Sequence, residues 1–429
     1  MSERRRAAVV TLGCKVNWYD SRAMADAMAA AGFELVEEGE TADVYLVNTC
    51  AVTAEAERKS RQTIRKLHRL HPGAAIVAAG CYAQGDPAAL AGLEGVTAVC
   101  GTGDRAAAAR VAAEGGTGVF LSELEGTYED LGAAGQQGHT RAVLKIQDGC
   151  DAFCTYCIIP SLRGAPRSRQ PGAIEAEARA LVARGFQEIV LVGINLSLYG
   201  RDLPGQPTLA DAVERAAASG AARVRLGSLD PEVIDEAFLG RLAAVGSFCP
   251  HFHLSLQAGC AVTLKRMGRH YTPEDFAGRL ALLRRVFPAA GVTADVIVGF
   301  PGESDEDFAQ SAAFVRGCGF LKTHVFPYSR RRGTAADRMD GHLPQAVKEA
   351  RAAAMAAGAA QATAQALRNM VGRVEAVLFE DETDRPGWLR GYTAGYAEVV
   401  APVGAEAAGK LLLVRLSAVE EERLTGEPV

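Results

Sequence analysis

The chain has 429 residues, of which 48% are hydrophobic and 23% are charged, and its formal net charge is −5. This composition is typical of a soluble globular protein of two to four domains and excludes a uniformly basic nucleic-acid binder. No run approaches the roughly 18–20 consecutive apolar residues of a membrane span. Ten cysteines without a signal peptide favour a reducing compartment, so we expect a cytoplasmic protein with no membrane partner.

The first part of the chain, residues 1–125, alternates short apolar strands with helices. Strands are predicted at residues 9–12, 44–47 and 75–79. A helix is predicted to begin at Ser21, a good capping residue, and to end at Ala31 before a glycine. This alternation predicts an N-terminal parallel α/β sheet domain. Residues 126–140 are rich in glycine, alanine and glutamine and are predicted to be a linker.

Strand–helix alternation restarts at Arg141 and continues to residue 370. Six strands are predicted, at residues 142–146, 188–192, 223–226, 251–256, 294–298 and 323–326. They predict a partial (β/α)6 barrel, a fold whose chemistry lies at the C-terminal ends of the strands. Residues 371–429 contain short β-like runs and predict a small C-terminal β-barrel. The predicted fold class is therefore α/β with three domains, 1–125, 141–370 and 371–429.

Cys150, Cys154 and Cys157 directly follow the first predicted barrel strand with the spacing C-x3-C-x2-C. Three thiolates from one tight loop can bind a four-iron, four-sulfur cube and leave the fourth iron without a protein ligand. The spacing resembles that of the radical S-adenosylmethionine (SAM) enzymes, in which SAM occupies the open iron. The alternative is three unrelated buried cysteines, which their closeness in sequence disfavours.

A second set of cysteines is dispersed along the N-terminal part of the chain. Cys14, Cys50 and Cys81 each come just after one of the first three predicted strands. Strand ends on one edge of a parallel sheet converge, so these three thiolates can meet and hold another cluster. Buried core cysteines remain the alternative.

These motifs together identify the chain as similar to the methylthiotransferases of the radical SAM superfamily, over essentially its whole length. The matching segments are residues 13–17 (G-C-K-V-N), 48–50, 79–84, 149–160 with 163–164, 193–195, 253–257, 295–303 and 326–329. The resemblance implies an N-terminal domain with an auxiliary [4Fe-4S] cluster, a radical SAM domain, and a C-terminal TRAM domain that binds RNA.

The resemblance also implies a mechanism with two [4Fe-4S] clusters and SAM as cofactors. The cluster on Cys150, Cys154 and Cys157 binds SAM and cleaves it to a 5′-deoxyadenosyl radical, and the cluster on the dispersed cysteines supplies or carries sulfur. A methylthio group is then inserted at C2 of the adenosine that is 3′ of the anticodon. The implied partners are a tRNA anticodon stem-loop, a reductant such as flavodoxin or ferredoxin, and a sulfur source; we expect a monomer.

The substrate subgroup depends mainly on Lys15 and Val16. Members that act on N6-threonylcarbamoyladenosine in tRNA read L-G-C-K-x-N, as this chain does at residues 12–17. Enzymes for isopentenyladenosine tend to read G-C-Q-M-N, and those for a ribosomal-protein aspartate read G-C-P-K-N. A different class, a zinc-stabilised RNA-binding protein without catalysis, also stays open, although structural zinc takes four ligands and each set has three.

Five residues near predicted strand ends are candidate SAM contacts. They are Gly193, Asn195, Gln257, Gly299 and Glu303. The glycines would permit close backbone approach to SAM; the alternative for each is an ordinary turn. Cys260 stands where the family usually has serine, and it is either a small core substitute or an extra thiol near the site.

The expected RNA contacts form local patches, because the chain as a whole is acidic. Three groups of arginines are candidates: Arg58, Arg61 and Arg65 on one face of the predicted helix after Cys50; Arg331 in a run of three arginines; and Arg163, Arg167 and Arg169 after the cluster loop. The aromatic candidates are Tyr392 and Tyr396 in the C-terminal region. The alternatives are solvated charged faces and, for the tyrosines, barrel packing.

Overall fold

The computed structural model of the chain describes residues 4–124, 126–132 and 140–429. The predicted linker at residues 126–140 therefore lies partly outside the described residues. All ten cysteines are described, and all are free thiols. In this part of the chain no helix combines the length and apolarity needed to cross a membrane.

Six parallel strands and five helices form the N-terminal sheet and its covering layers. The strands are β1 (Arg6–Thr11), β2 (Glu34–Leu35), β3 (Val44–Thr49), β4 (Ala75–Gly80), β5 (Val96–Cys100) and β6 (Gly118–Phe120). The helices are α1 (Lys15–Ala30), α2 (Ala54–Leu70), α3 (Cys81–Gly85), α4 (Pro87–Ala91) and α5 (Arg105–Glu114). The strand order is β2-β1-β3-β4-β5-β6. Every residue of β3 is buried, as expected for a central parallel strand covered on both faces.

Helix α1 begins at Lys15, so the predicted start at Ser21 is wrong. Cys14 occupies the N-cap in an extended conformation, directly after β1. Ser21 lies buried inside the helix, where its hydroxyl accepts a hydrogen bond from Asn48 Nδ2 at 3.0 Å. A serine that signals a cap in the sequence thus serves to join α1 to the end of β3.

The central region contains the six predicted barrel strands. Its strands are β7 (Arg141–Lys145), β8 (Gln147–Asp148), β9 (Arg167–Ser168), β10 (Glu188–Val192), β11 (Arg223–Leu226), β12 (Ser228–Leu229), β13 (His251–Gln257), β14 (Gly291–Val298) and β15 (Lys322–Pro327). Its helices are α6 (Ile159–Arg163), α7 (Pro171–Ala183), α8 (Leu209–Ala217), α9 (Glu236–Ala243), α10 (Ala261–Arg266), α11 (Pro273–Val286), α12 (Asp305–Cys318) and α13 (Gln345–Arg368). Short 3₁₀ helices lie at Leu196–Leu198, Pro231–Val233 and Ala336–Arg338 of this region, and another lies at Ala405–Ala407 in the C-terminal region.

These strands form two parallel sheets, ordered β11-β10-β7 and β12-β13-β14-β15, and β8 pairs with β9 in a short antiparallel ribbon. The two sheets are consecutive parts of one open barrel, since Gly227 alone separates β11 from β12. Val16 of α1 packs against Val190 and Val192 of β10 and against Val143 of β7. The N-terminal sheet therefore contributes its first helix to the inner side of the barrel.

The C-terminal region is a closed five-stranded barrel, which confirms the predicted fold class. Its strands are β16 (Val374–Glu382), β17 (Leu389–Thr393), β18 (Glu398–Ala401), β19 (Leu411–Glu420) and β20 (Arg423–Pro428). They close in the order β16-β17-β18-β20-β19. Arg223 and Arg225 at the start of β11 donate hydrogen bonds to backbone carbonyls of the small barrel, including that of Ala394 at 2.9 Å. These bonds attach it to the N-terminal ends of the central strands.

Candidate active site

The first cysteine triad lies in the loop that follows β8, at the C-terminal edge of the central barrel. The loop is held by backbone hydrogen bonds from Cys150 to Gly164 (3.0 Å) and from Thr155 to Met267 (3.0 Å). Gly149 starts it with φ +73°, and a Cβ there would lie 2.0 Å from the carbonyl oxygen of Ala165. Only glycine fits this start, so the tight spacing of the triad has a steric basis.

The three thiols of this loop are close enough to affect one another. Burial raises the pKa of Cys157 to about 12, and the neighbouring thiols of Cys154 and Cys150 add to the rise. The sulfurs of the other two cysteines receive hydrogen bonds. Arg269 donates to the Cys154 sulfur at 3.2 Å, and Asn195 Nδ2 donates to the Cys150 sulfur at 3.7 Å. Because cationic and polar donors favour the thiolate, the form that binds iron, this loop fits a [4Fe-4S] cluster.

The second triad meets at one edge of the N-terminal sheet, as the sequence predicts. Cys14, Cys50 and Cys81 follow the neighbouring strands β1, β3 and β4. Burial raises the pKa of Cys50 to about 11, and the thiols of Cys81 and Cys14 contribute to that rise. A Cβ on Gly13 would lie 2.9 Å from the Cys50 sulfur, so the absence of a side chain there leaves space beside the triad.

Each triad offers three thiols for a [4Fe-4S] cube with one open iron. Among the residues that the structure describes, no three histidine, cysteine, aspartate or glutamate side chains are placed to hold one metal ion. In a [4Fe-4S] cube each thiolate binds a different iron, so the sulfurs stand apart. One triad comes from a single loop and the other from three adjacent strand ends.

Arg163 connects the two triads, a role that the sequence did not predict. Its Nε donates to the Cys81 sulfur at 3.3 Å, and its Nη2 donates to Asn17 Oδ1 at 2.7 Å. Asn17 in turn donates to the carbonyls of Leu12 (2.9 Å) and Thr49 (3.0 Å), which fixes the ends of β1 and β3. The prediction that Arg163 contacts RNA is wrong, because the side chain is buried and its donors are used internally.

Arg167 and Arg169, the other two arginines after the cluster loop, are also buried. Arg167 donates to the carbonyls of Leu124 (2.6 Å) and Arg163 (2.9 Å). Arg169 pairs with Glu177 and with Asp130. This predicted RNA patch is therefore an internal set of contacts.

A buried ion network joins the N-terminal sheet to the central barrel around Arg163. Lys145 binds Asp20 (2.6 Å) and Asp148 (2.7 Å), and Arg105 binds Asp20 (2.9 Å). Burial by itself would raise the pKa of Asp148, but Arg105, Arg163 and Lys145 outweigh it and hold the pKa well below its usual range. Removing one member of such a network costs about 3–5 kcal/mol, because a buried charge is left unpaired. The network therefore fixes the two triads relative to each other.

A cavity of about 180 Å³ opens beside the first triad. Of the predicted SAM contacts, Asn195 and Gln257 line it. Gly193 lies behind Asn195, where a Cβ would meet Gln147 Oε1 at 2.9 Å, the atom that accepts the Asn195 backbone N–H at 2.8 Å. Gln257 has φ +67°, a strained conformation of the kind that collects at functional sites.

Gly299 and Glu303 are not among the residues that line the cavity. A Cβ on Gly299 would lie 2.4 Å from the Lys348 side chain, so packing against α13 already requires glycine at this position. Glu303 is buried, accepts the Gly299 N–H at 2.9 Å and pairs with Arg351 at 2.7 Å. These contacts order the turn after β14, and the SAM contacts of the two residues stay predictions.

Several lining residues were missed in the sequence. They are Tyr156, Ser228, Asp230, Ser255 and Arg269. Ser255 could have been found, because His253, Ser255 and Gln257 alternate along β13 and share one face. Arg269 carries no such signal: it lies in a loop and reaches Cys154 only through the fold. Cys260 is a buried residue whose thiol faces Asp307 at 3.3 Å, which fits the core alternative.

The predicted RNA contacts divide into exposed and occupied side chains. Arg58 and Arg65 are exposed on α2, with Arg58 paired to Glu55 on the surface. Arg61 is half-buried and donates to the Tyr82 hydroxyl at 2.7 Å. Arg331 is buried in an ion pair with Glu57, so it joins the loop after β15 to α2 and is not free for RNA.

Tyr392 and Tyr396 are packed against the central barrel. Their rings stack on each other with centroids 4.9 Å apart, and Tyr396 also stacks on His251 at 4.5 Å. The guanidinium group of Arg141 lies about 5 Å from both ring centroids. These contacts occupy the ring faces and favour the barrel-packing alternative for both tyrosines.

An open parallel α/β barrel with a three-cysteine loop after its first strand, next to a second cysteine triad, defines a radical SAM enzyme with an auxiliary cluster. Residues 144–315 match the radical SAM superfamily, and residues 6–101 match the uncharacterized protein family UPF0004. A solved radical SAM methyltransferase, TsrM from Kitasatospora setae, aligns with a TM-score of 0.54 at 16% identity and covers 75% of this chain and 73% of that chain. At this identity the likeness concerns the fold alone.

Curated relatives are similar over nearly the whole chain. The threonylcarbamoyladenosine tRNA methylthiotransferase MtaB of Bacillus subtilis is 38% identical, covering 95% of this chain and 92% of the relative. The protein of the same name from Chlamydia pneumoniae is 36% identical, with 98% and 97% covered. The tRNA-2-methylthio-N(6)-dimethylallyladenosine synthase of Geobacillus thermodenitrificans is 32% identical, with 100% and 84% covered. The chain belongs to the radical SAM methylthiotransferases, enzymes that use SAM and [4Fe-4S] clusters.

Proposed function

We propose that this enzyme adds a methylthio group to C2 of N6-threonylcarbamoyladenosine, next to the anticodon of tRNA. The observation that carries the reaction type is the pair of cysteine triads with a cavity beside the first; Arg163 joins the second triad to Asp148, just before the loop of the first. The substrate is supported by the relatives of 36–38% identity, whose names specify threonylcarbamoyladenosine.

The residues of the chain divide the work between the two triads. Cys150, Cys154 and Cys157 would hold the cluster that cleaves SAM to a radical, and Cys14, Cys50 and Cys81 would hold the one that supplies sulfur. Asn195 and Gln257 would orient SAM beside the first triad. C2 of adenine carries an unactivated hydrogen, so the chain's task is to hold reactants in line. An electron donor such as flavodoxin or ferredoxin and a sulfur source complete the reaction.

The anticodon stem-loop would lie along α2, which begins a few residues after Cys50. The exposed side chains of this helix include Arg58, Lys59, Arg65, Lys66 and Arg69. Glu55 and Glu57 in the first turn are both paired with arginines. A row of exposed cations on one helix is an arrangement that binds a phosphate backbone.

The proposed reaction is tested by expressing the chain in cells that lack their own methylthiotransferases and analysing tRNA nucleosides by mass spectrometry. We expect the 2-methylthio derivative of threonylcarbamoyladenosine. Cys50→Ala and Cys154→Ala should abolish it, because each removes one ligand of a different cluster. Cys318→Ala is the matched control, since this buried cysteine ends α12 away from both triads.

Other products would revise the proposal in a defined way. A 2-methylthio derivative of isopentenyladenosine would keep the chemistry and change the substrate. A methylthiolated ribosomal-protein aspartate with unmodified tRNA would remove the RNA substrate. An active Cys50→Ala enzyme would eliminate the auxiliary cluster from the mechanism.

A further inference from the structure

The inner faces of β13, β14 and β15 carry a polar cluster that the proposed mechanism does not use. His253 Nε2 lies 3.1 Å from Asp295 Oδ2, and His253 Nδ1 lies 2.7 Å from Thr293 Oγ1. The same hydroxyl lies 3.1 Å from His251 Nε2. The ring of His324 meets that of His253 edge to face, with centroids 5.5 Å apart. We refer to these five residues as the inner cluster.

Lys15, on the first helix of the N-terminal region, brings a positive charge to the inner cluster. It is the first residue of α1, the helix whose next residue, Val16, packs inside the barrel. Its charge helps to lower the pKa of His251 and of His324, in both cases after burial as the main cause. Within the described residues, neither Lys15 nor His324 has a side-chain hydrogen bond or ion pair, so both have donors available.

The inner cluster and the cavity beside the first triad share strand β13. His253, Ser255 and Gln257 share one face of β13, and the last two line the cavity beside the first triad. Lys15 directly follows Cys14 of the second triad. A base that reached from the cavity toward Cys14 would therefore have Lys15 and the inner cluster next to its edge.

We propose that Lys15 and His324, supported by the His253–Asp295 pair, bind the N6 substituent of the modified adenosine and determine the substrate. The inference rests on the proposed function. A threonylcarbamoyl group has a carboxylate for Lys15, a hydroxyl for His324, and a urea N–H for Asp295. A dimethylallyl group has none of these, and binding it would leave Lys15 and His324 unpaired, which is how a polar pocket rejects an apolar analogue.

The test combines variants of the enzyme with variants of the substrate. Anticodon stem-loop RNA carrying threonylcarbamoyladenosine, its threonine amide or isopentenyladenosine is titrated against the cluster-loaded enzyme, and affinity and methylthiolation are measured. Lys15→Gln should weaken binding of the carboxylate form roughly 10- to 100-fold and leave the amide form unchanged. His324→Leu, which lies away from all cysteines, should weaken the carboxylate and amide forms alike and leave isopentenyladenosine RNA unaffected.

The controls separate this inference from damage to the site. Lys410→Gln changes an exposed lysine of the small barrel and should behave as wild type. Iron content and RNA-independent formation of 5′-deoxyadenosine show whether a variant keeps its clusters. Equal losses on all three RNAs, or no loss on any, would overturn the inference while the proposed function stands. Wild-type enzyme that methylthiolates only isopentenyladenosine RNA would instead overturn the proposed function.

Discussion

Gly13 and Gly32 have similar left-handed backbones but different surroundings. Their φ angles are +108° and +93°. A Cβ on Gly13 would lie 2.9 Å from the Cβ and from the sulfur of Cys50, whereas a Cβ on Gly32 would meet nothing within 4 Å. Comparing alanine substitutions at Gly13 and Gly32 therefore separates the effect of backbone strain from the effect of a contact with the second triad.

We predict that Gly13→Ala prevents assembly of the auxiliary cluster and leaves the other cluster intact. Iron should fall from about eight to about four atoms per chain, as measured by elemental analysis of the anaerobically reconstituted protein. Gly32→Ala should keep all its iron, although both variants lose about 1–2 kcal/mol of stability from the positive φ. Equal iron in the two variants would mean that the Cys50 contact does not matter.

The site residues that could be predicted from the sequence are those whose neighbours in the sequence determine their position. The residues that were missed depend on partners far away in the sequence. The cysteines could be found because loop spacing and strand ends determine where they meet. The role of Arg163 could not be predicted, because the sequence does not distinguish an arginine that contacts phosphate from one that forms an internal ion pair. Its burial depends on Asp20 and Asp148, which lie far from it in sequence or in another element. The contact between Gly299 and Lys348 could not be found either, since Lys348 comes from α13, far away in the sequence.

Helix α2 is the element whose exposed cations we expect to bind RNA. Arg65→Ala should weaken binding of the anticodon stem-loop on all substrate sequences and reduce the slope of log affinity against log salt by about one. Arg179→Ala, an exposed arginine on α7 that is paired with Glu175, is the control and should keep the wild-type slope. A fluorescence titration over a series of salt concentrations measures both. An unchanged slope for Arg65→Ala would move the RNA to another face.

At the scale of elements, the sequence predicts the six barrel strands well, because each is a short apolar run bounded by turns. It fails at the start of α1, where a capping serine lies inside the helix. In the C-terminal region it predicts β-like runs at residues 374–379, 397–401 and 410–416 and misses β17 and β20, which the small barrel needs to close. Both are half-polar strands whose burial depends on pairing with distant partners, and local pattern cannot supply that.

The attachment of the small barrel to the central one depends on a buried carboxylate, Glu188. It pairs with Arg225 at 2.6 Å and lies beside Arg223, the two arginines that donate to carbonyls of the small barrel. Burial would raise the pKa of Glu188, but the arginines, Arg225 first, outweigh it and lower the pKa below its usual value. Its contribution to stability is therefore present above the pKa of an unfolded glutamate, about 4.3, and is lost as the pH falls below it.

We predict that Glu188→Gln lowers the free energy of unfolding at pH 7 by about 3 kcal/mol, because two buried guanidinium groups lose their counter-charge. The difference from wild type should shrink as the pH falls through about 4.3. Denaturant unfolding of the cluster-free protein over this pH range measures both effects. A difference that is independent of pH would mean that Glu188 contributes by packing rather than by charge.

The ion network between the N-terminal sheet and the central barrel has a consequence for how the chain is made. Asp20 and Arg105 leave the ribosome well before Lys145, Asp148 and Arg163. Until Lys145 emerges, Asp20 lacks two of the three cations that surround it, Lys145 and Arg163. Arg163, which holds Asn17 and the Cys81 sulfur, arrives later still. The nascent N-terminal sheet therefore waits for the first barrel strand and its cluster loop, and its three cysteines reach their final positions only after the other three have been synthesised.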